Sequence, residues 1–130
     1  MASIFTRIIK GEIPCYKIAE DDNFFAFLDI NPLSQGHTLV VPKQEVDYLF
    51  HLDDKLLAEM MVFAKKIAHA IEKNVQCKRI GIAVVGLEVP HAHIHLIPIN
   101  GGYDIDFSRP KLKFTPEEFS QIARNIAQSL

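Results

Sequence analysis

The segment Pro90–Pro98 has the sequence Pro-His-Ala-His-Ile-His-Leu-Ile-Pro and holds three of the six histidines of the chain at two-residue spacing. Because successive side chains of an extended strand point to opposite faces, the histidines are predicted to share one face and the apolar residues between them the other. The histidines are His91, His93 and His95, and the apolar residues are Ala92, Ile94 and Leu96. The segment therefore predicts a strand with one chemically active face and one core face.

Two interpretations of these histidines leave part of the pattern unexplained. If they are only structural, the fold has to satisfy three polar rings on a half-buried surface, which is costly. If they bind a metal, a His-x-His pair on a strand can hold zinc at about 2.0 to 2.1 Å. Residues i and i+4 of a strand lie roughly 13 Å apart, however, so His91 and His95 would strain to reach one ion together. A metal would use two histidines and leave the third without a role.

A catalytic interpretation uses all three histidines. Neutral imidazole has an unperturbed pKa of roughly 6.5 and serves as a nucleophile near neutral pH without a metal. His93, in the middle, would be the nucleophile, with its second ring nitrogen oriented by neighbouring groups. The flanking rings would hold the negative charge of a phosphate substrate.

The same residues carry a family resemblance. His91–Ile97 resembles the His-φ-His-φ-His-φ-φ signature, in which φ is apolar, of the histidine triad (HIT) nucleotide hydrolases and transferases, nearest the Hint-like phosphoramidase branch. Three further segments resemble the family's opening segment, its ribose-binding strand and the strand with its fourth histidine: Ile4–Pro14, Phe24–Pro32 and Gly36–Lys43. Order and spacing agree from about Ser3 to Ile99, so the resemblance implies a HIT-like fold.

The resemblance also implies roles for residues outside the triad. Taken alone, Asp29 is typical of a turn aspartate and His37 of a structural histidine. In the family, the aspartate that matches Asp29 binds the ribose hydroxyls, and flanking apolar residues, here Phe27 and Ile30, lie against the base. The histidine that matches His37 completes a hydrogen-bonded set around the triad.

The loop before the triad departs from the family pattern. Relatives carry an asparagine and then a longer Gly-rich loop with a Gly-Gln-Ser or Gly-Gln-Thr element, whereas this chain has Gly86-Leu87-Glu88-Val89. Backbone N–H groups near Gly86 could still cradle a phosphate. The resemblance therefore places Gly86, Leu87 and Glu88 at the nucleotide, with a carboxylate where relatives tend to have a hydroxyl.

Composition limits the class of partner. At 130 residues and 48% hydrophobic, the chain is expected to be a single domain spanning residues 1–130. With 14 basic and 16 acidic residues and a formal charge of −2, it offers no field for a nucleic acid, and a small ligand is expected instead. It lacks an apolar run typical of a secretory signal or a membrane span, so no membrane partner is expected. Cys15 and Cys77 are distant and favour reduced thiols in a cytoplasm.

Turn residues and apolar periodicity predict an α+β fold. Strands are expected at residues 15–19, 24–28, 36–42, 79–85 and 90–98. Helices are expected from Ser3 to Gly11, from Asp53 or Asp54 to about Lys73, and from Thr115 to Leu130. The expected architecture is an antiparallel sheet of about five strands, ordered roughly as the chain is, with the long helix on one face and a C-terminal helix. The long helix has a broad apolar stripe, and the family's homodimers imply that similar helices can also pack between subunits.

The expected function is a nucleotidyl hydrolase or transferase. Its substrate would be a purine nucleoside monophosphate joined to a leaving group, of the phosphoramidate or mixed-anhydride kind. His93 would form a nucleotidyl-histidine while His37, His91 and His95 orient groups and stabilise charge, and neither a cofactor nor a metal is expected. Two alternatives are a zinc-binding module and a nucleotide-sensing protein with little turnover.

Overall fold

Five apolar segments form one antiparallel sheet in the computed structural model, which describes residues 2–130. The strands are β1 (Lys17–Glu20), β2 (Phe24–Leu28), β3 (Thr38–Pro42), β4 (Arg79–Ala83) and β5 (Ile94–Ile99). Their order in the sheet is β1-β2-β3-β5-β4. The predicted α+β class is confirmed, and the sheet follows chain order except that β5 lies between β3 and β4. That insertion puts the triad strand next to the strand that follows His37.

The helices begin where the sequence predicts. They are α1 (Ile4–Ile9), α2 (Asp54–Glu72) and α3 (Pro116–Ala127), with short 3-10 helices at Leu49–His51 and Gly102–Ile105. The side chains of Ser3, Asp53 and Thr115 each accept a hydrogen bond from a backbone N–H in the first turn, which satisfies donors that a helix start leaves free. The C-terminal helix ends at Ala127 rather than at Leu130, whose side chain is exposed.

The two faces of the sheet have different coverings. Helices α2 and α3 pack on one face over the larger core, which includes Ala92, Ile94 and Leu96. On the other face, α1 contributes Phe5 to a smaller apolar cluster with residues of β2 and β3: Phe25, Phe27, Leu39 and Val41. The smaller cluster borders the histidine face, so α1 packs on the same side of the sheet as the candidate site.

Four of the five strands start late or end early relative to the expected bounds, and β3 is one of them because it starts at Thr38 rather than at residue 36. β1 starts at Lys17, two residues late, and β4 ends at Ala83, two residues early. β5 starts at Ile94, because the N–H of His91 donates to the Val89 carbonyl and that of Ala92 to the Val46 carbonyl. His91 and His93, the first two triad histidines, therefore lie in a turn that precedes β5 and not in its strand pairing.

Among residues 2–130, none of the helices combines the length and apolarity that crossing a bilayer would require.

Candidate functional site

The four predicted histidines lie together on the α1 side of the sheet. The rings of His93 and His95 have centroids 4.9 Å apart, and those of His37 and His95 are 5.2 Å apart. Phe5 of α1 contacts the rings of His91 and His93 edge-on, at 5.8 and 5.0 Å. All four histidines are buried, with at most 8% exposure. The predicted division into a histidine face and a core face is confirmed.

His93 has one ring nitrogen committed to the backbone and one that remains available. Its Nδ1 lies 2.8 Å from the carbonyl oxygen of His91. Because a carbonyl oxygen only accepts, Nδ1 carries the proton in this bond, and the neutral ring keeps its lone pair on Nε2. The backbone thus fixes the tautomer that a nucleophilic imidazole requires.

His37 and His95 form a chain of hydrogen bonds with a defined direction. The backbone N–H of Leu33 donates to Nδ1 of His37 at 3.0 Å, so the proton of a neutral His37 lies on Nε2. That Nε2 is 2.9 Å from Nδ1 of His95 and donates to it. Neutral His95 therefore carries its proton on Nε2. One backbone amide, acting through two rings, makes the Nε2 of His95 a hydrogen-bond donor.

The buried environment keeps these rings neutral. The pKa of His37 is lowered to about 3, chiefly by burial and further by the neighbouring His95. Burial also lowers the pKa of His95 to about 4, with a smaller contribution from His93. At neutral pH both rings have one proton each, as the chain of hydrogen bonds requires.

Asp29 lies at the end of β2, beside this histidine chain. Its Oδ1 accepts from the N–H of Asn31 at 2.8 Å, and its Oδ2 is 3.5 Å from Nε2 of His37. Its backbone N–H donates to the His37 carbonyl at 3.0 Å, which holds the two segments together. Burial raises the pKa of Asp29, and the bond from Asn31 opposes that shift. The structure thus brings Asp29 to the site, although it followed from no spacing rule in the sequence.

The two apolar residues predicted beside Asp29 differ in their surroundings. Phe27 is buried, with its ring 5.5 Å from that of Phe5 at 67°. Ile30 is 63% exposed and faces solvent. A ligand could contact Ile30 directly, whereas Phe27 supports the floor of the site.

The segment Gly86–Glu88 lies at the rim. Gly86 has φ of +72°, a left-handed conformation that favours glycine, and a side chain there would meet open space. Leu87 is 88% exposed and Glu88 is also exposed. The negative charge of Glu88 makes a small contribution to raising the pKa of Asp29.

Sequence reasoning missed Phe107 and Lys111. The ring of Phe107 packs edge-on against His95 at 4.8 Å and lies 6.3 Å from His37. The ammonium group of Lys111 donates to the carbonyl oxygens of Phe107 and Arg109, the latter at 2.9 Å. This loop follows β5 and covers one side of the histidine chain. Its only sequence signal was an aromatic residue within a polar loop.

One group of side chains has the spacing of a metal site. Ligand atoms of Asp29, His37 and His95 lie within 4.8 Å of one another. The hydrogen bonds oppose this use, because the Leu33 amide occupies Nδ1 of His37 and leaves its Nε2 protonated. To bind a cation through Nε2, His37 would have to lose that proton or break the bond to Leu33.

Comparison with known proteins identifies the family of the chain. Residues 10–102 match the HIT domain. An adenosine 5'-monophosphoramidase from Schizosaccharomyces pombe is 35% identical, over 100% of this chain and 99% of its own. A HIT-like protein from Bartonella henselae, described as involved in cell-cycle regulation, superposes with a TM-score of 0.84 at 32% identity, over 98% and 96% of the two chains. A zinc-bound histidine triad protein from Mycobacterium smegmatis superposes with a TM-score of 0.82 at 28% identity, over 99% and 93%. With its four buried histidines, its sheet order and these matches along nearly its whole length, the chain belongs to the HIT domain family.

Proposed function

We propose that the protein is a nucleotidyl hydrolase or transferase that cleaves a purine nucleoside monophosphate from its leaving group through a nucleotidyl-histidine. The substrate would be of the phosphoramidate or mixed-anhydride kind. The observation that carries this proposal is the protonation pattern of the buried rings. His93 keeps an unprotonated Nε2, and beside it His95 is left with a protonated Nε2.

The first step joins the nucleotide to the protein. The lone pair on Nε2 of His93 attacks the α-phosphorus, and the bond from phosphorus to the leaving atom breaks with its electron pair on that atom. For a phosphoramidate, the nitrogen is protonated by solvent beforehand and departs as a neutral amine. Nε2–H of His95 donates to a phosphoryl oxygen and stabilises the charge that develops there.

The second step restores the histidine. Water attacks the phosphorus, the bond from phosphorus to Nε2 of His93 breaks with its electron pair on nitrogen, and the water proton passes to solvent. Throughout, the bond from Nδ1 of His93 to the His91 carbonyl stabilises the positive charge on the nucleotidylated ring. In a hydrolase the group that attacks in this second step is water. In a transferase it is an alcohol or an amine.

The nucleoside is proposed to lie along the end of β2. Asp29 has one carboxylate oxygen close to the triad and would accept from the ribose hydroxyls. The exposed Ile30, with Phe27 beneath the site, would offer apolar surface to the purine. Backbone N–H groups near Gly86 and Leu87 would lie at the phosphate. The phosphoramidase name of the yeast relative supports this class of substrate.

The direct test is hydrolysis of adenosine phosphoramidate by the purified protein. We expect turnover, and we expect His93→Ala to abolish it because the nucleophile is lost. His69→Ala is the matched control, since His69 is exposed on α2 and its side chain is 3.3 Å from Glu72. Absence of turnover in the unmodified protein, or equal rates in the unmodified protein and His93→Ala, would contradict the proposal.

A zinc-binding module is the alternative that a specific observation favours, because the mycobacterial relative is described as zinc-bound. In this chain Asp29, His37 and His95 are the group that could hold the ion. Elemental analysis of protein purified without a histidine tag distinguishes the two. Stoichiometric zinc that is lost in His37→Gln would favour the module, whereas turnover in zinc-free protein favours the hydrolase.

A homodimer is also proposed, with the free edge of β4 as its centre. In the sheet β4 pairs only with β5, and apolar side chains are exposed on and after it: Ile82, Val84, Val85 and Leu87. Most of the predicted stripe on α2 is buried inside the chain, including Met60, Phe63 and Ile67, so those residues are not available to a partner. Light scattering should give twice the chain mass, and Ile82→Lys should shift it toward the monomer. A monomeric unmodified protein would contradict this.

Placement in the cytoplasm remains a prediction. In residues 2–130 both cysteines, Cys15 and Cys77, are free thiols, and burial raises the pKa of each. Free thiols of this kind are typical of a reducing compartment.

A further inference from the structure

Polar groups from two segments of the chain, residues 3–6 and 42–45, surround the ring of His91. Ser3 Oγ lies 2.7 Å from Nδ1 of His91, and Nε2 of His91 lies 2.8 Å from the Pro42 carbonyl oxygen. Glu45 Oε1 accepts from the backbone N–H of Ser3 at 2.7 Å and from the hydroxyl of Thr6 at 2.5 Å. His91 itself is fully buried. The predicted roles of the triad do not account for this cluster.

Every proton in the cluster can be assigned. The Pro42 carbonyl only accepts, so Nε2 of His91 is protonated and Nδ1 of the neutral ring is an acceptor. The Thr6 hydroxyl donates to Glu45 and has no proton left for the ring, from which it lies 3.4 Å away. The Ser3 hydroxyl accepts from the Thr6 N–H at 3.0 Å and has two acceptors within reach, the Thr6 hydroxyl oxygen at 3.2 Å and Nδ1 of His91 at 2.7 Å. With a neutral His91 ring its proton goes to Nδ1, because otherwise two lone pairs would face each other across the shorter distance. Ser3 is both the cap of α1 and the one hydroxyl donor to this ring.

We infer that Ser3 is a positioning residue that keeps His91 neutral beside a carboxylate and thereby fixes the backbone carbonyl that orients the nucleophile His93. The part concerning His93 rests on the proposed function. The part concerning His91 depends only on hydrogen bonding. A donor at Nδ1 occupies the lone pair that a second proton would need.

The charges around His91 explain why such a donor is needed. The titratable groups facing the ring are Glu45, which follows β3, and His93 in its own segment, while α1 contributes the neutral side chains of Ser3, Phe5 and Thr6. The hydrogen bonds from Thr6 and Ser3 lower the pKa of Glu45 to about 2, so it is ionised at neutral pH. Burial lowers the pKa of His91, whereas the bond to the Pro42 carbonyl and, to a smaller extent, the charge of Glu45 act in the opposite direction. The Ser3 hydroxyl adds to the effect of burial.

The link to His93 runs through the backbone of His91. The ring of His91 donates from Nε2 to the Pro42 carbonyl, and the backbone N–H of His91 donates to the Val89 carbonyl at 2.8 Å. The backbone carbonyl of His91 accepts from Nδ1 of His93. If His91 became an imidazolium, the positive charge would lie two residues away from the nucleophile in the sequence. It would disfavour the cationic nucleotidyl-imidazolium that forms on His93.

Nitrogen-15 NMR of the histidine rings tests the inference without any substrate. In the unmodified protein at neutral pH, His91 should be neutral with its proton on Nε2. Ser3→Asp keeps a good helix cap but replaces the donor with an acceptor, so His91 should become an imidazolium. An imidazolium or an Nδ1-protonated ring in the unmodified protein would overturn the inference, as would an unchanged neutral His91 ring in Ser3→Asp.

Kinetics with adenosine phosphoramidate test the consequence for His93. Ser3→Gly nearly preserves the cap but removes the hydroxyl; we expect kcat to fall about fivefold with KM unchanged, and the acid limb of the pH profile to move to higher pH. Ser3→Thr should restore the profile of the unmodified protein. A Ser3→Gly profile that coincides with the unmodified one would overturn the role of Ser3. Absence of turnover in the unmodified protein would instead refute the proposed function, while the ring spectra would still decide the state of His91.

Discussion

Glu88 is the residue at which this chain most clearly differs from the pattern of its family. Its side chain is exposed, and its negative charge helps to raise the pKa of Asp29. A second carboxylate there repels phosphate oxygens, and the repulsion is greatest for leaving groups that carry further negative charge. The chemistry of one rim residue is thus expected to select among nucleotides that share the same α-phosphate.

We predict that the protein is slower on polyphosphate-linked nucleotides than on those with neutral or amine leaving groups. Glu88→Ser should narrow this preference, measured as the ratio of kcat/KM between the two classes, by about two- to fivefold, as expected for an exposed charge. The change should shrink at high salt, where exposed charges are screened. Glu59→Ser, on α2, is the matched control. Equal ratios in the unmodified protein and Glu88→Ser would show that Glu88 has no part in substrate choice.

At the scale of residues, the sequence predicted which histidines lie together, but it did not predict which nitrogen of each ring carries the proton. The two-residue spacing of the triad was enough to group His91, His93 and His95 on one face. The tautomers were not predictable, because they depend on backbone atoms of Leu33, Pro42 and His91 itself. Leu33 supplies an N–H donor, whereas Pro42 and His91 supply carbonyl acceptors, and no periodicity in the sequence predicts which ring nitrogen each of them meets.

At the scale of elements, the turn before β3 determines where His37 lies. The N–H of His37 donates to the Ser34 carbonyl at 3.1 Å, and Gly36 between them has φ of +91°. A Cβ at Gly36 would lie 3.0 Å from Val75 Cγ2 and 3.3 Å from Ile71 Cγ2. The turn therefore needs glycine both for its backbone conformation and for the close approach of α2.

We predict that Gly36→Ala lowers the free energy of unfolding by about 1 to 3 kcal/mol, through the left-handed backbone and the contact with Val75. Urea unfolding measures the change. Gly101→Ala is the control, since Gly101 has extended backbone and a side chain there would meet open space. If the two variants were equally stable, the turn before His37 would not be strained by a side chain.

Element boundaries show why local patterns give only part of the fold. Helix starts were predicted closely, because Ser3, Asp53 and Thr115 act within a single turn. The start of β5 was not, because the N–H of Ala92 bonds to Val46, which is distant in sequence. The loop that brings Phe107 to His95 was missed for the same reason.

At the scale of the whole molecule, burying several neutral histidines makes stability depend on pH. In the unfolded chain His37 and His95 would titrate at roughly 6.5. In the folded protein their pKa values are about 3 and about 4. Below pH ~6.5 the unfolded chain therefore binds protons that the folded protein does not, so the free energy of unfolding falls as pH falls.

We predict a decrease of up to about 1.4 kcal/mol per pH unit for each of these two histidines, between pH ~6.5 and pH ~4. The carboxylates with lowered pKa are Glu20, Glu45, Asp104 and Asp106, and they lose stabilisation mainly below pH ~5. Asp29, whose pKa burial raises, acts against the slope of the histidines, so urea unfolding above pH ~5 measures the histidines with that one opposing group. The dependence of the free energy of unfolding on pH should be unchanged in His69→Ala and weaker in His37→Gln. Equal stability at pH ~7 and pH ~5 would contradict the burial of neutral rings.

The stereochemical course at phosphorus tests the central claim, that His93 forms a covalent nucleotide intermediate. The substrate is a sulfur-substituted adenosine phosphoramidate of known configuration at phosphorus, hydrolysed in isotopically labelled water. Attack by His93 and then by water inverts the phosphorus twice, so the account predicts net retention of configuration. Net inversion would mean that water attacks the substrate directly, and it would contradict the account.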